Sequence, residues 1–431
     1  MVRTKTTQIG LRLYKSKFKL NQKLNIAISS YRSAPFGGGQ GIFVYELSKA
    51  LKSLGHNVDV ISGPPYPNLG PKVDLIKSPG LDLFSSFVFK ERLKIFFNKK
   101  NKSFDDWYEF ISVLLGGFPE IKTFGNRLER LFQDFSYDIL IDNQSLSFGV
   151  LQVQNKIPVI EIVHHPITKD YEYDMQFSKG IIQKISKWRW FSFLKMQKKV
   201  APLMNVISTP SINSKDDIVK DFNVSRKNIV VIPNGIDHKK FSPKKHINRN
   251  PGQLITTASA DVPLKGLDFT LKAIHSLKKD FPDIKLVIIG APRPGGHTER
   301  LIQRLNLEEN IVYKTNLTKE EIAFEYACSN IAIVSSLYEG FGFPVGEAMA
   351  CSIPLIATNV ASIPEITSKF AELIPEKDSD SIEQAIRKIF LNPSQYQIRA
   401  DAGRMHIIEN FDWQKIAKEY ESLIYRTMGK F

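Results

Sequence analysis

The sequence has few cysteines and no long hydrophobic run. Only two cysteines occur in 431 residues, Cys328 and Cys351, and their spacing fits neither a metal site nor a redox pair. We therefore expect both to be buried thiols in a reducing compartment. The first twenty residues lack the apolar core of a secretion signal, and no run of 18 or more apolar residues is present, which excludes a membrane-spanning helix. These absences predict a cytoplasmic protein.

Acidic residues are fewer than basic residues. The chain has 59 Lys and Arg against 44 Asp and Glu, which gives a formal net charge of +15 at pH 7. An excess of this size favours a polyanionic neighbour, and a membrane surface, a nucleic acid or an anionic substrate would each satisfy it. No zinc-finger, RNP or basic-region heptad pattern occurs, so we expect no nucleic acid partner.

Residues 338–350 combine the features of a ligand-binding loop. The apolar run 331–334 before them predicts a buried strand, and Pro344 suits the first turn of a following helix. A glycine loop between strand and helix directs backbone N–H groups and the positive helix end to one place, where anions bind. Glu339 and Glu347 can accept hydrogen bonds from hydroxyls there. The stretch predicts a ligand with phosphate and hydroxyls, such as a sugar nucleotide; the alternative is that both glutamates only cap and solvate the helix.

The same stretch carries a family resemblance. Residues 339–350, Glu-Gly-Phe-Gly-Phe-Pro-Val-Gly-Glu-Ala-Met-Ala, resemble the signature of retaining GT-B glycosyltransferases of family four, and residues 353–366 are similar to that family too. The resemblance covers roughly residues 24–428. It implies an α/β fold of GT-B type, with two Rossmann-like doubly wound lobes facing a cleft. It also implies transfer of a sugar from a nucleotide-diphosphate donor to an acceptor with retention of configuration, in cell-surface polysaccharide or glycolipid synthesis.

The resemblance assigns roles within this loop. Glu339 would hold the hydroxyls of the donor sugar and Glu347 the ribose. The departing diphosphate would be bound by backbone amides in the segment that contains Phe341, Gly342, Phe343 and Val345. No metal-ligand cluster is evident in the sequence, and we expect no cofactor, with the nucleotide sugar as co-substrate.

A glycine turn near the start of the chain is a second candidate site. Residues 36–41 follow a predicted strand at 24–29 and precede a helix, as in a βαβ unit. Their spacing fails the dinucleotide pattern G-x-G-x-x-G, and Ser62 leaves no acid near the end of the second strand, so NAD is disfavoured. The resemblance places this turn against the donor, while a plain tight turn is the alternative. The matching glycines are Gly38, Gly39 and Gly41.

A histidine is the third candidate. His164 follows the predicted strand 157–163, and the carboxyl end of a parallel strand faces the cleft in this architecture. It matches the position of a donor-sugar histidine in the resembling family. A structural histidine is the alternative. We do not assign a role to the neighbouring His165.

The second half of the chain supplies one lysine for the diphosphate. Lys265 lies in a loop between a strand and a helix and offers a compact positive charge, although a solvated surface lysine is the alternative. The family has an Arg about five residues earlier, where this chain has Ala260, and Asp261 adds a negative charge. Arg293, in a predicted cleft-edge loop, is the candidate replacement. Tyr313 lies where the nucleobase packs in similar enzymes.

Residues 181–199 interleave lysines with Ile, Trp and Phe. At about 100° per residue, four lysines of a single helix would share one sector and four apolar residues another. This pattern is typical of a helix at an anionic membrane surface, which would place the protein peripherally at the inner face of the membrane. The alternative is a helix packed on the core with a solvated lysine face.

These patterns predict four segments and leave two other function classes open. The segments are a basic extension (1–22), an N-terminal Rossmann-like lobe on the acceptor side (23–228, with an insertion at about 64–135), a C-terminal lobe on the donor side (229–410), and a helix crossing back to the first lobe (411–431). The expected partners are the nucleotide-sugar donor, a sugar or lipid-linked acceptor, and an anionic membrane surface. The rival functions are a non-catalytic basic protein that binds phosphorylated lipids or polyanions, and a GT-B-type epimerase or hydrolase.

Overall fold

A computed structural model describes residues 22–33, 38–134, 136–178, 180–244 and 246–429. Nearly all of the predicted basic extension, and the first two residues of the glycine turn, lie outside this range. Among the described residues, no helix is both long and apolar enough to cross a bilayer.

The first lobe is built on a parallel sheet of seven described strands in the order β3-β2-β1-β4-β5-β6-β7. The inner strands β1, β4, β5 and β6 are almost fully buried, as expected of strands covered on both faces. The strands are β1 (Asn25–Ser30), β2 (Asn57–Ser62), β3 (Asp74–Lys77), β4 (Ile139–Asn143), β5 (Val159–Ile162), β6 (Ile207–Thr209) and β7 (Ile229–Val231). Because all are parallel, their carboxyl ends meet at one edge of the sheet.

Helices cover both faces of this sheet and fill the insertion. They are α1 (Gly39–Ser53), α2 (Phe89–Asn98), α3 (Phe104–Leu114), α4 (Glu120–Asp134), α5 (Phe148–Gln154), α6 (Thr168–Phe177), α7 (Ile181–Trp190), α8 (Leu194–Val200) and α9 (Ile212–Phe222). The segment predicted as a single helix over 181–199 is thus two helices separated by a 3₁₀ turn at Phe191–Phe193.

The second lobe has a parallel sheet of six described strands in the order β10-β9-β8-β11-β12-β13. The strands are β8 (Gln253–Thr257), β9 (Lys285–Ile289), β10 (Ile311–Lys314), β11 (Ile331–Val334), β12 (Leu355–Thr358) and β13 (Glu372–Ile374). The helices of this half are α10 (Leu267–Leu277), α11 (His297–Arg304), α12 (Lys319–Cys328), α13 (Phe343–Ala350), α14 (Ile363–Thr367), α15 (Ser379–Leu391), α16 (Pro393–Asn410) and α17 (Trp413–Thr427).

Two boundaries differ from those read in the sequence. The strand β7 pairs with β6, so the crossing to the second lobe lies after residue 231 and not at 228/229. The predicted insertion contains β3, which pairs with β2 and belongs to the first sheet. Both strands are only three or four residues long, too short for periodicity to reveal their pairing.

Of the two cysteines, Cys351 is buried but Cys328 is only partly buried.

The last helix packs on the first lobe although it follows the second in the chain. Apolar side chains of α17, including Ile416, Tyr420 and Ile424, join the core formed by β1, β2, β4 and α1. Tyr420 Oη lies 3.3 Å from Ser208 Oγ on β6. The helix α17, which follows the second lobe in the chain, therefore completes the core of the first lobe.

The rest of the insertion has a small core of its own. Phe96 and Phe110 stack with ring centroids 4.0 Å apart, and Trp190 at the end of α7 packs edge-on against Phe84 at 5.1 Å. The helices α2, α3 and α7 are thereby joined into one outer layer of the first lobe.

Candidate active site

The signature stretch forms the strand, loop and helix expected of it. The strand β11 leads into the loop, and α13 begins with Pro344 in its first turn. Gly342 precedes the helix with a φ of 97°, a conformation that glycine adopts at little cost. The amide of Val345 donates to the carbonyl of Gly342 at 3.0 Å, so its predicted contact with a diphosphate would share or replace that bond. Among the described residues, no acceptor lies within bonding distance of the amides of Phe341, Gly342 or Phe343.

The loop brings Glu339 and Lys265 together. Glu339 Oε1 accepts hydrogen bonds from Lys265 Nζ and Ser336 Oγ, both at 2.7 Å. Lys265 ends the 3₁₀ turn that follows β8, so the two groups come from neighbouring strands of one sheet edge. The Glu339 side chain is 11% exposed and that of Lys265 31%, which leaves the pair open on one side to an incoming ligand.

His164 faces this loop from the first lobe. Its Nε2 lies 2.8 Å from Oδ1 of Asn143, whose Nδ2 donates to Ser30 Oγ. This chain of bonds makes Nε2 the protonated nitrogen and leaves Nδ1 as an acceptor. Burial, reinforced by the charge of His165, lowers the pKa of His164 to about 3. The ring is therefore neutral at physiological pH and can accept a hydrogen bond from a sugar hydroxyl.

Sequence reasoning assigned no role to the residues around His164. Asn143 ends β4 at the same sheet edge as His164, and that placement was readable from the strand pattern. His165 Nε2 lies 2.8 Å from Asp170 Oδ2. Burial opposes its charged form, but the Asp170 carboxylate outweighs this and raises the pKa of His165. A histidine more basic than usual thus lies against Tyr338, with ring centroids 5.6 Å apart.

The start of α9 fastens the first lobe to the donor loop of the second. The carbonyl of Gly340 accepts hydrogen bonds from Ser211 Oγ at 3.0 Å and Ser214 Oγ at 3.2 Å. The carboxylate of Glu365 accepts from the amides of Ile212 and Asn213, both at 2.8 Å, so that an acid of one lobe caps a helix of the other. Space is tight here, since a Cβ on Gly340 would lie 2.6 Å from the His164 carbonyl oxygen.

Glu347 lies buried in the second turn of α13. Burial raises its pKa to about 8, with Lys319 acting in the opposite direction and Asp237 adding to the rise. Lys319 itself bonds to Glu46 of the first lobe at 2.6 Å. The positive charge that acts on Glu347 thus belongs to a cross-lobe ion pair that the sequence did not indicate.

The glycine turn of the first lobe reaches the same loop. A Cβ on Gly39 would lie 3.3 Å from the Phe343 ring, and Gly38, with a φ of 86°, sets the turn into α1. Gly41 lies within the first turn of α1. The side chain of Phe341 is buried against Phe343 with ring centroids 5.3 Å apart, so any ligand contact of Phe341 is through its backbone.

The candidate replacement for the missing arginine is an exposed side chain beside Asp261. Arg293 is 73% exposed, with Nε 3.7 Å from Asp261 Oδ2. Asp261 accepts from the amide and hydroxyl of Thr298 at 2.8 and 2.9 Å, which caps α11 and satisfies the charge that seemed unfavourable in the sequence. Tyr313 lies near the carboxyl end of β10, at this same edge of the sheet, and burial, followed by the charge of Asp261, raises its pKa.

Two family models match the chain one after the other. Glycosyltransferase Family 4 matches residues 37–240, and Glycosyl transferases group 1 matches residues 238–406. The chain is 36% identical over 415 residues to an MMP alpha-(1->4)-mannosyltransferase of Mycolicibacterium hassiacum, which covers 94% of this chain and 99% of that protein.

Solved structures share the fold. Sucrose-phosphate synthase from Thermosynechococcus elongatus superposes with a TM-score of 0.73 at 20% identity, covering 95% of this chain and 100% of that one. Anabaena HepE in complex with UDP-glucose gives a TM-score of 0.68 at 14% identity, with coverage of 95% and 100%. Together with the mannosyltransferase match over nearly the whole sequence, these findings show that the chain belongs to glycosyltransferase family 4, the nucleotide-sugar glycosyltransferases of GT-B fold.

Proposed function

We propose that the protein transfers a sugar from a nucleotide-diphosphate donor with retention of configuration, and that Lys265, Glu339 and His164 act on the donor. The observation that carries this is the Lys265–Glu339 pair at 2.7 Å, beside the start of α13 and opposite His164. An arriving diphosphate competes with Glu339 for Lys265. The carboxylate is then free to accept from the sugar hydroxyls.

Departure of the nucleotide needs stabilisation of negative charge on the diphosphate. Lys265 and the amides of Phe341, Gly342 and Phe343 supply it in this proposal, aided by the dipole of α13. Nδ1 of neutral His164 accepts from a sugar hydroxyl on the other side, and Glu347 takes the ribose. The proposal includes no cofactor. Arg293 is proposed to contact only the part of the nucleotide that lies farthest from the sugar, near Tyr313.

The donor sugar is proposed to be mannose, on the strength of the mannosyltransferase that matches the whole chain. Incubation with GDP-mannose, UDP-glucose and ADP-glucose, with and without a panel of sugar and lipid-linked acceptors, should give nucleotide release with one of them. Release from another donor would overturn only the choice of sugar. The absence of release from every donor and acceptor would overturn catalysis and favour a basic binding protein.

We further propose that the first lobe docks on an anionic membrane surface. None of the ten residues of α7 is buried, although Trp190 at its end packs against the small core of the insertion, and this exposure supports a surface that is open to a membrane. Ile181, Ile182 and Trp188 are 75%, 81% and 53% exposed, next to basic residues. The neighbouring helices add Phe89, Phe97 and Phe104, which are 59–83% exposed. Exposed apolar side chains interleaved with lysines favour the interface of an anionic bilayer.

Vesicle flotation tests this surface. The protein should float with vesicles of phosphatidylglycerol and phosphatidylcholine at low salt, and Ile182→Ser should weaken binding about tenfold because an apolar side chain is lost from the interface. Leu391→Ser is the matched control, since Leu391 is 80% exposed on the second lobe. Equal binding to purely neutral vesicles, or equal loss in the two variants, would contradict the proposal.

A further inference from the structure

A cavity of about 260 Å³ opens in the first lobe between the end of α3, the start of α5 and α8. Its lining contains Lys122, Lys195 and Lys199 and no acidic residue. The hydroxyls of Tyr108 and Ser112 also border it. The cavity therefore combines three positive charges with hydrogen-bonding groups.

These lysines are not neutralised by neighbours. Among the described residues, no carboxylate lies within ion-pair distance of any of the three. Lys122 Nζ lies 4.2 Å from the centroid of the Tyr108 ring, and Lys195 Nζ lies 5.2 Å from that of Trp188. Lys187, nearby on α7, is by contrast paired with Asp174 at 2.5 Å. All three lysines are exposed, so an anion entering the cavity can reach all three positive charges.

The aromatic side chains of the cavity wall can contact an organic group that is attached to the anion. Phe118, Phe148 and Phe193 also line the cavity, and Phe148 is 45% exposed. Lysine heads beside aromatic faces fit a phosphate joined to a sugar ring or to an apolar chain, because the rings can pack on the rest of the molecule.

The position of the cavity connects it to the candidate active site. Phe148 begins α5 only five residues after Asn143, the residue that bonds to His164. Five residues of chain span at most about 18 Å. The cavity thus lies near the carboxyl edge of the first sheet, where β4 leads into α5, and beside the 3₁₀ turn that follows α7.

We infer that this cavity binds a phosphate group carried by the acceptor, with Lys122, Lys195 and Lys199 as its ligands. The inference rests on the proposed function only in that the first lobe receives the acceptor. The phosphate belongs either to a lipid headgroup or to a soluble phosphosugar, and the two sources share the same chemistry at this site.

Protection of lysines from acetylation, read by mass spectrometry on the full chain, tests the site without any donor. Inorganic phosphate is the probe for a soluble ligand, and phosphatidic acid in phosphatidylcholine vesicles is the probe for a lipid. We expect Lys122, Lys195 and Lys199 to be protected by at least one probe. Protection by inorganic phosphate indicates a soluble ligand, and protection by phosphatidic acid vesicles alone indicates a lipid headgroup. Lysines modified equally with and without both probes would overturn the site.

A triple variant, Lys122→Gln, Lys195→Gln and Lys199→Gln, should bind the protecting probe about 100-fold more weakly, since each lysine near anionic lipid contributes about a fivefold step. The matched control replaces three exposed lysines of the second lobe, Lys272, Lys279 and Lys369, and should change binding less than twofold. Equal loss in both variants would show a diffuse charge effect and contradict the inference. GDP binding by the triple variant should be unchanged, so failure of the donor chemistry and failure of this site give different results.

Discussion

Glu339→Gln is expected to lower the rate of sugar transfer about 10²–10³-fold, the scale for losing one preorganised polar contact to a transition state. The glutamine has the same side-chain shape as the glutamate and can still accept a hydrogen bond from Ser336. In the wild type, Ser336 Oγ donates to Glu339 at 2.7 Å. It cannot hold the sugar hydroxyls with a charged acceptor, and it leaves Lys265 without its carboxylate partner. We therefore expect a large loss of turnover with little change in the fold.

The measurement is nucleotide release with the productive donor and acceptor, together with a thermal melt. Glu376→Gln is the matched control, because Glu376 is exposed on the same lobe and lies 3.9 Å from Lys377 in a surface ion pair. Turnover at the wild-type level in the Glu339 variant would remove this carboxylate from the mechanism. Unfolding of the variant would instead show a structural role.

Glu347→Gln should weaken nucleotide binding about 2- to 10-fold, the range for losing a hydrogen bond to an uncharged group, while stabilising the unliganded protein at neutral and alkaline pH. Burial raises the pKa of Glu347 from 4.5 to about 8. The unfolded chain releases this proton at lower pH than the folded one does, so the wild type loses stability as pH rises from about 4.5 to 8. A glutamine has no proton to lose and avoids that cost.

Thermal melts at pH 5 and pH 8.5, with and without GDP, separate the two effects. The melting temperature of the variant minus that of the wild type should be larger at pH 8.5 than at pH 5 without ligand. The stabilisation by GDP should be smaller in the variant. A difference that does not depend on pH would contradict the burial of an ionisable carboxyl at this position, and Glu376→Gln should show none.

The donor loop could be predicted in detail because its information is local. The strand β11 and the start of α13 follow from an apolar run, glycines and a proline within twenty residues. The contacts that join this loop to the first lobe could not. Ser211 and Gly340 are 129 residues apart, and no periodicity relates them.

Charges were harder to place than strands. In the sequence, Asp261 is a negative charge close to the predicted diphosphate site. In the structure its carboxylate caps α11, and sequence spacing does not show which helix end a loop carboxylate reaches. The segment 181–199 was misjudged for a related reason. Its spacing fits one helix, but Phe191 is buried in the 3₁₀ turn between α7 and α8, where its ring packs against Tyr171 of α6 with centroids 5.4 Å apart.

The packing of α17 has a consequence for the order in which the protein can be made. The core of the first lobe includes Trp413, Ile416 and Tyr420, which the ribosome adds only after the entire second lobe. Until then the apolar faces of β1 and α1 that receive this helix stay uncovered, and the lobe that is synthesised first is the one that finishes folding last. The first lobe therefore cannot complete its core before α17 is synthesised, whereas a two-lobe chain usually folds its amino-terminal domain first.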